Sequence, residues 1–171
     1  MVHSEDVSSL ISDSGIVRYR LEAKAWDIFS NIEEPYWYFP EKIYVERFDT
    51  LSNVDGSIQA DTAYYFNKKE LWQLIGNVFV KNLEGNTFET SELFWDQKAE
   101  PDMLGAIYTD EFVRINLGDK IVTGIGMRAN QSLTRYRFYH SQIEADYQEE
   151  SQETDKPETT LEPEPEITTN E

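Results

Sequence analysis

Apolar and polar side chains alternate along several stretches of this chain, which is the pattern of β-strands with one buried face. In residues 16–23, Val17, Tyr19, Leu21 and Ala23 fall on one face, and mostly charged residues fall on the other. Residues 72–81 repeat the alternation with Trp72 in the apolar phase. The remaining strands are predicted over residues 42–49, 57–66, 87–96, 107–117, 120–127 and 133–143.

Turn-forming residues separate these stretches at short intervals. Asn53-Val54-Asp55-Gly56 and Gly118-Asp119 tolerate turn dihedrals, as do residues 67–70 and 82–85. Pro35 and Pro40 flank the sequence YWYF and limit it to an edge strand or an irregular strand. No amphipathic helix of ordinary length is predicted, so the pattern indicates an antiparallel sandwich, jelly roll or open barrel.

A short internal repeat supports stacked hairpins. The segment IQADTAYYF from Ile58 resembles FETSELFWD from Phe88, and each is followed by a similar partner strand. The repeat also assigns Val113 and Ile115 to the inward phase.

Charge divides the chain into two parts. The chain has 171 residues and a formal charge of −18, which argues against nucleic acid or an anionic membrane surface as its main partner. Residues 144–171 hold 11 of the 33 acidic residues and one basic residue, Lys156. Such a segment buries too little apolar surface to order itself. We therefore predict one β domain over residues 1–143 and a disordered acidic tail over residues 144–171.

Residues typical of catalysis or metal binding are sparse. The chain has no cysteine and only two histidines, His3 and His140, which disfavours a metal site or a Ser-His-Asp triad. Among the 33 acidic residues, Glu92 and Glu111 are one example of a pair that could serve in glycoside hydrolysis. Positions on solvated strand faces explain these two carboxylates better. Gly124-Ile125-Gly126 indicates a close backbone approach or a bulge. No enzymatic activity, cofactor or metal is predicted.

Three motifs, in order along the chain, resemble the LptC family of periplasmic lipopolysaccharide export proteins. The first is D-x-G-x-x-x-Y-x-L-x-A, met by Asp13, Gly15, Tyr19, Leu21 and Ala23. The second is the hairpin and strand sequence ADTAYYFNKKELWQLIGNVFVKNLEGNTFETSELFWDQ, and the third is VTGIGMRANQSLTRYRF. The YWYFPEKIYVERFD segment is similar to Bacteroides-group forms. The acidic tail and apparent insertions such as residues 98–104 depart from the family pattern.

The resemblance implies a twisted, open, V-shaped β-jelly roll of two antiparallel sheets that carries lipopolysaccharide acyl chains between the sheets. Family members receive the lipid from an inner-membrane ABC transporter and pass it to an LptA-like bridge protein across the periplasm. They are tethered to the inner membrane by an N-terminal anchor, which we expect to be absent from this chain.

The inward phase gives the residues that we expect to line a lipid groove: Val17, Tyr19, Leu21, Ala23, Ile43, Val45, Ala63, Tyr65, Trp72, Leu74, Val78, Val80, Leu93, Trp95, Val113 and Ile115. The closing strand is expected to offer a partner edge at Arg135, Tyr136, Arg137 and Phe138. Two alternatives remain open: a sealed β-sandwich interaction or adhesion module, and a jelly-roll enzyme acting on carbohydrate. Periodicity alone does not separate an open groove from a closed core.

Overall fold

The described part of the chain is built from antiparallel β-strands. The computed structural model describes residues 1–144, and this part contains strands and turns without a helix. The strands are β1 (Val2–Asp13), β2 (Ile16–Phe29), β3 (Tyr36–Phe39), β4 (Ile43–Phe48), β5 (Val54–Ala60), β6 (Thr62–Phe66), β7 (Leu71–Asn82), β8 (Thr87–Asp96), β9 (Ile107–Asn116), β10 (Ile121–Ala129) and β11 (Tyr136–Glu144). The predicted all-β class is confirmed, while the tail prediction falls on residues outside the described part.

The backbone ladders connect these strands into one sheet that closes on itself. The order is β11-β10-β9-β8-β7-β5-β4-β2-β3-β6, with β6 also paired to β7 and β1 paired to β2. The long strands β2 and β7 each pair with three others: β2 with β1, β3 and β4, and β7 with β5, β6 and β8. Among the described strands, β1 and β11 therefore form the two edges.

The corner at Asp61 corrects the prediction of one strand over residues 57–66. The Asp61 amide donates to the Gly76 carbonyl at 2.9 Å, and its carboxylate accepts from Asn77 at 2.6 Å. Gly76 and Asn77 both have positive φ, and the register between β7 and β8 shifts there. A Cβ on Gly76 would lie 2.9 Å from Asp61 Oδ2, which explains the glycine. The break directs β5 and β6 to different partner strands.

Three other predictions from the sequence also need correction. Strand β1 was not predicted, because its serine-rich and acidic sequence lacks a regular apolar phase. The YWYF sequence is not at an edge, since β3 lies between β2 and β6. The last strand begins at Tyr136, so Leu133 lies in the preceding loop.

The glycine pair in β10 has the close approach and the bulge that its sequence predicts. A Cβ on Gly124 would lie 2.5 Å from the Phe138 ring and 2.9 Å from the His140 carbonyl. Gly126 has a φ of 70°, and the ladder to β9 shifts between Ile125 and Met127. Both glycines therefore allow β11 to pack closely on β10.

Candidate functional site

The inward phases of β2 and β4–β10 meet in one apolar interior. Within the described residues, all but three of the predicted lining residues are buried: Leu21, Ala23, Ile43, Val45, Ala63, Trp72, Leu74, Val78, Val80, Leu93, Trp95, Val113 and Ile115. Tyr19 and Tyr65 are half-buried and pack against this cluster. Val17 is half-buried beside Ser12 of β1 and does not belong to the cluster.

The interior is filled by the protein's own side chains over most of its extent. The Tyr19 and Trp95 rings meet edge-on with centroids 5.5 Å apart, although β2 and β8 are not neighbours in the sheet. Leu21, Phe39, Val113, Ile115 and Met127 have no exposed surface. The sheet therefore folds over and packs against itself in this part of the interior.

One region of the interior is closed by paired strands and filled with rings. We call it the aromatic region: Trp26, Trp37, Phe39, Tyr65 and Trp72. Trp26 lies 5.0 Å from Trp37 and 5.5 Å from Phe39, and Trp72 lies 5.7 Å from Phe39 and 4.8 Å from Tyr65, measured between ring centroids. Strands β3 and β6 form a ladder in this region, in which Trp37 pairs with Tyr65 and Phe39 pairs with Ala63.

A second region is closed by a loop. The 130–135 loop connects β10 to β11 and is organised by Asn130, which is 1% exposed. The Asn130 side chain accepts from the amides of Thr134 and Arg135 and donates to the hydroxyls of Ser132 and Thr134, at 3.0–3.1 Å. This compact turn directs Leu133 into the interior, where it is 3% exposed.

Beneath that loop lies a small opening, which we call the slot. Its volume is about 30 Å³, and its apolar walls include Tyr19, Val45, Val80, Trp95 and Leu133. Arg47 and Asp55 stand at its rim and form an ion pair of 2.7 Å between Nε and Oδ1. The slot holds about one or two methylene groups at most, so an acyl chain does not fit without movement.

Three tryptophans carry buried indole N–H groups that have no acceptor within residues 1–144: Trp26, Trp72 and Trp95. A buried donor without a partner costs about 1–3 kcal/mol, so it calls for a specific explanation. Two of these groups lie in the aromatic region and the third belongs to a wall of the slot. Both the aromatic region and the slot therefore contain indole N–H groups without an acceptor in the described residues.

Burial also affects the tyrosines beside the two regions. Desolvation raises the pKa of Tyr65 in the aromatic region above its ordinary value of 10.0. Desolvation, assisted by the negative charge of Glu84, raises the pKa of Tyr136 just after the 130–135 loop. Both hydroxyls are therefore neutral at physiological pH.

The predicted partner edge is only partly a strand edge. Tyr136, Arg137 and Phe138 belong to β11 and pair with Ala129, Arg128 and Met127 of β10. The side chains of Tyr136 and Phe138 pack on the core. What remains open to a partner strand is the backbone of β11 on the side away from β10. Arg135 lies in the loop, where its carbonyl accepts from the Asn130 amide.

The two carboxylates considered for glycoside hydrolysis, Glu92 and Glu111, lie outside the apolar cluster. Glu92 accepts a hydrogen bond from Gln73, and Glu111 is exposed on β9. Within residues 1–144, no three His, Cys, Asp or Glu side chains are grouped so that they could hold a metal ion. In the same residues, no helix is long and apolar enough to cross a membrane.

Several interior residues were not predicted from the sequence. Phe39, Phe88, Ile107, Met127, Ala129, Leu133, Asn82 and Asn130 are all buried. Phe88 and Ile107 follow the alternation of their strands and were within reach of the same reasoning. Asn130 and Leu133 carry no periodic signal, because their burial depends on a loop that folds over distant strands.

The fold and its interior define a class: an antiparallel β protein with an enclosed apolar cluster and two edge strands. Residues 3–148 match the family described as Lipopolysaccharide-assembly, LptC-related. The chain belongs to this family, and its role accordingly lies in lipopolysaccharide transport or assembly. No curated protein matches the chain.

Proposed function

We propose that this protein is a non-catalytic carrier that shelters lipopolysaccharide acyl chains in its β interior. It would take the lipid from the inner-membrane ABC transporter and pass it to an LptA-like bridge protein in the periplasm. An N-terminal anchor that tethers it to the inner membrane is part of the same proposal. The observation that carries it is the continuous apolar cluster, with unused indole donors, in a chain of the LptC-related family.

The energetics of an acyl chain support a sheltering interior. Burying one methylene group contributes about 0.8 kcal/mol, so a chain of a dozen carbons gains roughly 10 kcal/mol of shelter from water. The ester or amide carbonyls of an acylated lipid are also acceptors for the buried indole N–H groups. Such a carrier needs no catalytic group, since the transporter supplies the direction.

The filled interior favours a second candidate. An interaction module of the lipopolysaccharide-assembly system would keep its core closed and act only through the edges of β1 and β11. Unpaired strand edges favour the addition of a partner strand. This candidate differs from the carrier in one respect that can be measured, which is contact between lipid and the interior.

Photo-crosslinking separates the two candidates. A benzophenone amino acid replaces Trp72 or Val78, which are buried, or Gln73 or Lys81, which are on the opposite phase of β7. The carrier predicts lipopolysaccharide adducts at Trp72 and Val78 only. Adducts at all four positions would contradict the assignment of faces, and adducts at none would favour the interaction module.

Edge pairing has a separate test. Arg137→Glu reverses a charge on β11, and Arg114→Glu makes the same change on β9, inside the sheet. We expect only the first to weaken binding to the LptA-like protein, because β11 is an edge. Equal affinity of the Arg137 variant and the unchanged protein would count against docking at this edge.

A further inference from the structure

A carried acyl chain needs a point of entry into an interior that is largely filled by side chains. The 130–135 loop is one place where a loop, without a ladder of its own, covers the cluster beside an existing cavity. In the aromatic region, by contrast, entry through the β3–β6 ladder would require these two strands to separate. The slot is therefore the first location to consider.

Leu133 is held in a conformation that leucine rarely adopts. Its φ is 55°, in the left-handed region where a Cβ is crowded by the backbone. The Asn130 hydrogen bonds hold the turn in this conformation. Strained residues of this kind persist where the surroundings fix them, and they concentrate at binding and switch regions. The hydrogen bonds of Asn130 thus hold the Leu133 side chain at the slot.

The loop is fastened to the rest of the protein by side-chain hydrogen bonds and a single backbone contact. The buried Asn82 side chain donates to the Leu133 carbonyl at 3.2 Å, and Arg47 donates to the Gln131 carbonyl at 3.1 Å. Gln131 also bonds the Ala99 and Pro101 carbonyls through its side chain and its amide. Moving the loop outward breaks these contacts and leaves every strand ladder intact.

Trp95 supplies a second, independent pointer to a ligand. It lines the slot, it is 5% exposed, and its indole N–H has no acceptor within the described residues. An incoming chain that carries a carbonyl near its head would satisfy this donor, while a bare hydrocarbon would not. The slot therefore combines an apolar path with one polar position.

We propose that the slot is the entry subsite for the acyl chain of an acylated amphiphile, with Leu133 as a plug that the chain displaces. The ester or amide carbonyl of the chain then accepts the hydrogen bond of the Trp95 indole. The inference rests on the proposed carrier function. It adds the point of entry and a residue that donates a hydrogen bond to the lipid carbonyl.

The plug has a test that needs no lipopolysaccharide. Leu133→Ala shortens the plug, and Leu83→Ala makes the same change on a side chain that is 70% exposed. We expect Leu133→Ala to bind the apolar dye N-phenyl-1-naphthylamine several-fold more tightly than the unchanged protein, and Leu83→Ala to match the unchanged protein. Equal dye affinity of the two variants, both shown to be folded by circular dichroism, would overturn the plug.

A cross-link tests entry of the natural cargo. Asp55 and Gln131 flank the same Arg47 guanidinium, and the chain has no cysteine of its own. Asp55→Cys with Gln131→Cys, joined by a short bismaleimide, should abolish lipopolysaccharide loading. Both single variants after the same treatment should still load. Equal loading with and without the bridge overturns entry at the slot and leaves the carrier function standing. No loading of the unchanged protein overturns the carrier function, while the dye still decides the plug.

The carbonyl contact is tested with Trp95→Phe, which keeps an aromatic ring and removes the N–H. An ester-linked amphiphile should bind this variant several-fold more weakly than the unchanged protein, and its ether-linked analogue should bind both equally. An equal loss for both amphiphiles would show that Trp95 contributes packing alone, which contradicts the assigned role.

Discussion

The aromatic region and the slot belong to one interior but are closed in different ways. Rings such as Trp26, Phe39 and Trp72 pack against each other under the β3–β6 ladder. Leu133 closes the slot from a loop that is held mainly by the side chains of Asn82, Arg47 and Asn130. Opening the first region through its ladder separates two strands, whereas opening the second breaks a few polar contacts.

Burial therefore does not measure how easily a region opens. Phe39 and Leu133 are both almost completely buried. Local opening depends on the cooperative unit to which a residue belongs, and a loop held by side chains is a smaller unit than a strand in a ladder.

The largest effect is expected in the aromatic region. Phe39→Ala removes a ring that has no exposed surface, and it should lower the free energy of unfolding by about 3–5 kcal/mol. Phe112→Ala removes an exposed ring from β9 and should change it by less than about 0.5 kcal/mol. Denaturant unfolding measures both values. Similar losses for the two variants would mean that the ring cluster is not a rigid part of the core.

A smaller and local effect is expected at the loop. Asn130→Ala leaves the Thr134 and Arg135 amides without their acceptor and should cost about 1–3 kcal/mol. Amide exchange should accelerate in residues 130–135 but not in β3 or β6. Asn130→Asp keeps an accepting oxygen and should lose less. Faster exchange throughout both regions would show that they open as one unit, which contradicts separate opening of the loop.

The smallest effect is a tyrosine titration. The raised pKa values of Tyr65 and Tyr136 mean that each neutral hydroxyl stabilises the fold below pH 10, and this stability is lost as the pH rises through the folded-state pKa. Loosening the loop with Asn130→Ala should lower the pKa of Tyr136 towards 10 and leave that of Tyr65 unchanged. Difference spectra against Tyr65→Phe and Tyr136→Phe resolve the two groups. A drop at Tyr65 would contradict independent closure.

Much of the strand pattern was predictable from the alternation alone. Leu21 and Ala23 of β2 and Leu74 and Val80 of β7 face inward as their spacing predicts, because neighbouring side chains of a strand point to opposite faces. The break at Asp61 was not predictable, because it depends on a hydrogen bond to Gly76 across the sheet. The burial of YWYF between two strands depends likewise on partners that the local pattern does not name.

The same division holds for the candidate site. The predicted lining residues share an interior, as their phase indicates, but whether they face a groove or a core is decided by what packs opposite them. Asn130 and Leu133 show this most plainly, since a polar loop residue and an unphased leucine became the organiser and the plug of the slot.

The all-β class, the inward faces of most strands and the likeness to the LptC-related family could be predicted from the sequence, because they depend on local alternation and on short motifs. Two features could be seen only in the folded structure: the sheet folds over on its own interior, and a loop, not a ladder, covers the slot. Those features arise from contacts between residues far apart in the chain, such as Tyr19 with Trp95 and Asn82 with Leu133, and local periodicity holds no information about such contacts.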